Sequence, residues 1–197
     1  MFGLFKKKKE IVSSDFIWKN EVVKYNALIK HLQQAERSVL VYYFEDTKEE
    51  AEKYLNAAQI NFSTESNSFV TKVWLLNANM LLHKSSIENR TVFFAEHHPS
   101  FLQEKEIKTH LLEKLGINEV IFYTSFEDKL MQLFGSDRIL HLMERMGFKD
   151  DEVIQHSLVN SSLEKAQQKI DEKISLNNNT RLRKDWFEIN MPAIEKL

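Results

Sequence analysis

Six consecutive apolar residues at positions 39–44, VLVYYF, limit the possible folds of this chain more than any other feature. A β-prone run with no polar alternation suits a strand covered on both faces, as in parallel sheets. The flanking segments have a helical period. Val22, Tyr25, Ile29 and Leu32 recur at that spacing, which predicts a helix over residues 16–34. After the run, Thr47 and Glu50 form a capping-box pair. The helix they open extends to about Ala58, with Ala51, Tyr54, Leu55 and Ala58 on one face. Further strands are expected at 70–76, 91–94 and 119–123, with a short one at 61–63. Ser100 and Gln103 cap a helix over 100–115, with Gly116 at its left-handed stop. Ser125 and Asp128 open another. Strands separated by helices require crossover connections, hence an α/β fold with a mostly parallel sheet and helices on both faces.

Composition removes several classes of function. The 197 residues include no cysteine, two prolines and four glycines, namely Gly3, Gly116, Gly135 and Gly147. Average usage would give roughly 14 glycines. Phosphate-cradling loops need glycine because backbone N–H groups approach an anion closely only where no Cβ intervenes. No glycine precedes a lysine, so there is no Walker A loop, and neither G-x-G-x-x-G nor G-x-S-x-G occurs. Zero cysteine excludes disulfides, thiol catalysis and Cys-based zinc sites, and suits the cytoplasm. The run at 39–44 is the longest apolar stretch, far too short to span a bilayer. A net charge of -2 gives no pull towards nucleic acid. The aromatics lie in apolar strands without interleaved basic residues, so no nucleic-acid surface is expected. His97 and His98 are adjacent and point in different directions. His83, His110, His141 and His156 lack the i, i+4 spacing of helical metal pairs, so no metal is expected.

The two ends of the sequence differ from its middle. Phe2, Leu4 and Phe5 precede Lys6, Lys7, Lys8 and Lys9. A signal peptide would have its charges before a longer apolar region. The segment reads as a solvated tail or as a weak membrane contact, worth about 1 kcal/mol per lysine on an anionic surface. Beyond Gly147 the strand pattern stops at a charged junction, Lys149, Asp150, Asp151 and Glu152. Residues 153–174 read as a long helix with an apolar stripe of Ile154, Leu158, Leu163, Ala166 and Ile170. Such a stripe binds a partner, mediates dimerisation or folds back on the domain. Asn177, Asn178 and Asn179 break the helix, and a second one starts near Asp185, limited by Pro192. Arg181, Arg183 and Lys184 form a small basic cluster, either a solvated helix start or an anion contact. The expected organisation is a tail over 1–14, an α/β domain over 15–148 and a helical appendage over 149–197.

The stretch 121–170, IFYTSFEDKLMQLFGSDRILHLMERMGFKDDEVIQHSLVNSSLEKAQQKI, resembles SecA, the motor ATPase of bacterial protein export. The family's second motor domain ends in a segment like RFYLSLEDDLMRIFGSDRI, followed by a scaffold helix with a stretch like VIQHSMITKSIERAQKKV. Fainter likeness extends backwards. FAEHHPS at 94–100 stands where the family has GTERHES, VWLLNANM at 73–80 matches a strand ending in ATNM, and RSVLVY at 37–42 matches RPVLVG. The resemblance covers about 16–174. It implies a RecA-like, helicase C-terminal-like sheet of the P-loop NTPase fold, without the half that carries the Walker motifs.

The departures fall on the loops that face ATP in the family. After ATNM the family has AGRGTD, whereas this chain has Leu81, Leu82, His83, Lys84, Ser85 and Ser86. In the register of QLRGRAGRQGD, Lys108 stands at the first arginine, His110 at the second and Glu113 at the third. An arginine finger is worth roughly 10³–10⁵ in rate, or about 4–7 kcal/mol, and a glutamate there repels phosphate. Ile107, Leu111, Leu112 and Leu115 make the replacement an ordinary amphipathic helix. These differences predict a non-enzymatic pseudo-motor without a cofactor. It would act as a binding or structural protein whose partner is the export machinery or another copy of itself, in the cytoplasm or peripherally at the inner membrane. One alternative is an ATP-handling subunit that completes a site with a separate P-loop chain, which Lys108 alone supports. The other is a membrane-surface protein held by the Lys6–Lys9 run.

Overall fold

The computed structural model describes residues 10–65, 70–133, 136–155 and 157–192, apart from a few side chains at 137–158, that of Leu158 among them. Phe2, Leu4, Phe5 and Lys6 to Lys9 lie outside the described residues. The elements run β1 (Val12–Trp18), α1 (Glu21–Gln34), β2 (Ser38–Tyr42), α2 (Glu45–Ala57), β3 (Phe62–Ser63), β4 (Val73–Asn77), α3 (Ala78–Leu81), β5 (Thr91–Phe94), α4 (Phe101–Glu113), β6 (Glu119–Ser125), α5 (Lys129–Leu133), α6 (Ser136–Met146), α7 (Ser157–Lys173) and α8 (Arg183–Asn190). The strands form one six-stranded sheet in the order β1-β6-β5-β2-β4-β3, with every pair parallel. This is the α/β class expected from the sequence, with helices following towards the C-terminus.

Burial explains why β2 carries no polar alternation. All five of its residues are buried. Leu40 and Tyr42 face the core under α1 and α2, with Leu28, Leu32, Ala51 and Leu55. Val39 and Val41 face the opposite core under α4, with Ile107 and Leu111. A third cluster sits beyond the C-terminal end of the sheet. There Ile17, Phe44 and Phe126 meet Leu163 and Ile170 of α7 and Trp186 and Phe187 of α8.

Three local expectations need correction. Residues 16–34 are not one helix. Residues 12–18 form an edge strand, and α1 starts only after Asn20, whose side chain accepts from the Val23 N–H at 2.9 Å. Thr47 and Glu50 do not make a capping box. α2 begins earlier, with Phe44 at its N-cap and no side-chain cap bond, and the Thr47 hydroxyl is used elsewhere. Ile154 is not helical. It pairs antiparallel with Ile17 on the outer edge of β1, with bonds of 2.9 and 3.2 Å, and α7 starts at Ser157.

Arg90 secures the opposite end of the sheet, where β2 and β4 begin. Its Nη1 donates to the carbonyls of Thr71 (2.9 Å), Lys72 (3.2 Å) and Ser38 (3.4 Å), and the guanidinium lies 3.8 Å from the Trp74 ring centroid. Replacing it with Met leaves buried carbonyls without donors. We expect Arg90→Met to lose about 2 kcal/mol in urea unfolding; a loss within 0.5 kcal/mol, roughly the level of a surface substitution, would show that these bonds do not stabilise the sheet.

Candidate functional site

In open α/β sheets ligands bind outside the carboxyl ends of the strands. The loops after β2, β5 and β6 meet at that end, each contributing polar side chains. Glu96, two residues past β5, is fully buried. One of its oxygens accepts from the N–H groups of Tyr43 (2.8 Å) and Phe44 (3.0 Å) at the end of β2, and the other from the Thr47 hydroxyl at 2.7 Å. Asp128, after β6, accepts from the Leu130 N–H at the start of α5. Arg183 of α8 reaches into this mouth. Its Nη1 bonds Asp128, and its Nη2 bonds Thr47 and pairs with Glu96 at 3.0 Å. Burial raises the Glu96 pKa, against the pull of Arg183, Thr47 and the Tyr43 N–H. Burial would lower the Arg183 pKa, but Asp128 and Glu96 outweigh it and raise it.

A second charged cluster lies beside the first. His97 is held between Glu104 of α4, Nδ1 to Oε2 at 2.9 Å, and Asp15 of β1, at 3.4 Å. Lys108, one helical turn on, pairs with the other Glu104 oxygen at 2.7 Å. Burial alone would lower the His97 pKa; Glu104 and Asp15 raise it to about 9. Glu104 responds in the opposite direction. Burial would raise it, but His97 and Lys108 hold it well below the usual carboxylate range. His98 is neutral. Burial lowers its pKa to about 4, and its Nδ1 accepts from the Ser100 N–H at 2.9 Å. Gln167 ties α7 to this cluster by donating to the His98 carbonyl (2.7 Å) and to Glu104 (3.0 Å).

Of the residues expected to face ATP, Lys108 and Glu113 line a groove of about 530 Å³ along α4, together with Glu104 and Glu164, and His110 does not. Lys108 is committed to Glu104, and its ammonium also lies 4.9 Å from the Phe122 ring centroid. His110 is half-buried and Glu113 exposed on the last turn of α4, an uninterrupted helix capped by Ser100. Of the apolar stripe, Ile154, Leu163, Ala166 and Ile170 are buried within this chain; among the three fates open to the stripe, the chain folds it back on itself. Of the basic cluster, Arg181 and Lys184 are exposed while Arg183 is half-buried and paired with carboxylates. No group of three or more His, Cys, Asp or Glu among the described residues could hold a metal ion. No helix among them is long and apolar enough to cross a membrane.

Outside Arg183 the mouth opens into a groove of about 600 Å³. Tyr25 and Phe187 supply apolar wall. Glu21, Asp46, Glu50, Glu127 and Glu188 supply five carboxylates, against the cations Arg183, Lys129 and Lys184. Sequence reasoning missed this site because its contacts join residues far apart in the chain. The available signal was an acidic residue just past an apolar strand, as at Glu96 and Asp128.

The fold and this mouth define a parallel-sheet α/β protein closed at the carboxyl end of its strands by its own C-terminal helices. No family model matches the chain. Curated relatives do. Protein translocase subunit SecA of Cytophaga hutchinsonii is 59% identical over 51 residues, 26% of this chain and 5% of that protein. SecA of Christiangramia forsetii is 52% identical over 67 residues, 34% and 6% respectively. SecA 1 of Chlorobium chlorochromatii is 38% identical over 79 residues, 40% and 8%. This chain is similar to the SecA family over part of its length, and the matched stretches make up less than a tenth of each of these relatives.

Proposed function

We propose that this chain is a non-catalytic SecA-like domain that works in protein export as a binding or structural partner. The observation that carries the reading is the content of the mouth. Phosphoryl transfer depends on cations placed around the phosphates. Here the inward cation, Arg183, is bound by two buried carboxylates, Lys108 is bound by Glu104, and the groove outside has more carboxylates than cations. A triphosphate brought there meets net repulsion. The link to export rests on the SecA similarity, whose named relatives are translocase subunits.

Two measurements test the reading. Calorimetric titration of the purified chain with Mg-ATP is expected to give no saturable heat. A steady-state phosphate-release assay, with the chain alone and mixed with a SecA, is expected to show no turnover from the chain and no stimulation. Hydrolysis that survives repurification and disappears in Lys108→Ala would overturn it in favour of an ATP-handling subunit.

A further inference from the structure

We infer that a small polar cavity between the ends of β2 and β5 is a binding site for a neutral amide group, an O=C–N–H edge presented by a small molecule or by a partner's side chain. β2 leads into α2 on one face of the sheet and β5 into α4 on the other. Their carboxyl ends therefore part, and such a crevice is where open α/β sheets take ligands. The cavity measures about 120 Å³. That is the space of about four waters, too small for a nucleoside triphosphate and enough for a planar head group. Phe44 and Trp186 supply apolar wall, and His98, Gln103, Glu106 and Asn179 bring polar groups to it.

His98 decides what the cavity takes. The residue is 3% exposed, and its Nδ1 accepts from the Ser100 N–H. The proton therefore sits on Nε2, at the opposite edge of the ring. That donor meets no acceptor among the described residues, and a buried donor without a partner calls for one. Because the ring lines the cavity, a ligand there must accept from Nε2. It must also donate. Gln103 gives its Nε2 to the Asn179 Oδ1 at 2.9 Å, which leaves its Oε1 as an acceptor. The Glu106 carboxylate, on the exposed rim, only accepts. Charge removes the other candidates. An anion satisfies His98 and is repelled by Glu106; a cation suits Glu106 and sets N–H against N–H at His98. A neutral amide satisfies both, with its carbonyl on His98 and its N–H groups on Gln103 and Glu106.

The test follows the imidazole signals of His98 and the indole signals of Trp186 by NMR on the full chain. Benzamide, benzoate and benzamidinium are the probes, alike in size and ring and different in charge. Benzamide is expected to shift both residues saturably with a Kd of about 1 mM. Benzoate and benzamidinium are expected to bind at least about tenfold more weakly. His98→Phe keeps a ring against Trp186 and removes the N–H, and is expected to lose at least about tenfold in benzamide affinity. Glu106→Gln is a change on exposed surface that the fold tolerates whatever His98→Phe does. It is expected to narrow the gap between benzamide and benzoate to within about threefold. A glutamine-containing peptide that binds more tightly than benzamide assigns the site to a protein's side chain; the reverse assigns it to a free amide. Benzamide that gives no saturable shift, benzoate that binds the unaltered chain equally well, or benzamide affinity unchanged in a folded His98→Phe would each overturn the inference. It goes beyond the non-catalytic reading, and because no nucleotide enters this experiment, failure of either leaves the other standing.

Discussion

Arg183→Met is expected to lose about 3–5 kcal/mol of folding stability, because it leaves buried carboxylates without their cation. Glu96 is fully buried and Asp128 nearly so, and both pair with this guanidinium. The backbone N–H groups of Tyr43 and Phe44 still solvate Glu96 in the variant, which keeps the loss below that of a bare buried charge. The pH dependence separates a charge effect from a packing defect. Without Arg183 the Glu96 carboxyl, already raised by burial, rises further. A carboxyl raised in the folded state contributes stability below its unfolded pKa and loses it as pH climbs through the folded one. The deficit of the variant should therefore be smaller at pH 5 than at pH 8. A second change, Glu96→Gln, should recover part of the loss at pH 8. Urea unfolding of the three chains at both pH values decides this. A deficit that is equal at pH 5 and pH 8 and unrelieved by Glu96→Gln would mean that Arg183 acts by packing alone.

The fold was legible in the sequence where burial leaves a local imprint. The apolar run at 39–44 contains β2, and positions 91–94 coincide with β5. Gly116 has the left-handed φ of +70° expected after α4. β1 was not legible, because VSSDFIW mixes polar and apolar residues without a clear period. Its inward Asp15 has a partner, His97, that lies beyond β5, so no local pattern marks it. Thr47 looked like a cap because Ser or Thr followed three positions later by Glu usually is one; tertiary contacts with Glu96 and Arg183 take its hydroxyl instead. The mouth was hidden for the same reason. Arg183 reads locally as the start of a solvated helix. It lies three and four residues before Trp186 and Phe187, and only their burial on α8 turns it inward. What the likeness to SecA singled out was Lys108; the carboxylate that engages it, Glu104, sits one turn earlier on the same helix, and no local pattern in the sequence marks it.

The second cluster carries a prediction of similar size, read as a pH profile. His97 is 4% exposed, and the charged groups facing it are Asp15, Glu104 and Lys108. Its pKa, raised to about 9 from an ordinary 6.5, means that the folded protein holds the proton more tightly than the unfolded chain. That stabilisation is fully present below pH 6.5 and is lost as pH rises through 9, about 3 kcal/mol in all. Glu104 is depressed, so its share is present above the unfolded value and lost as pH falls below it. The cluster therefore stabilises most between about pH 4.5 and 6.5. In His97→Gln the alkaline decline between pH 6.5 and 9 should flatten relative to the wild type, while the acid limb set by Glu104 persists because Lys108 still faces it. Urea unfolding at intervals across this range, together with the imidazole proton shifts of His97, measures both limbs. Parallel curves for the two chains would mean that His97 is neutral in the fold. Lys108 would then be the only cation balancing Glu104, and its commitment to that carboxylate, on which the non-catalytic reading depends, would be stronger still.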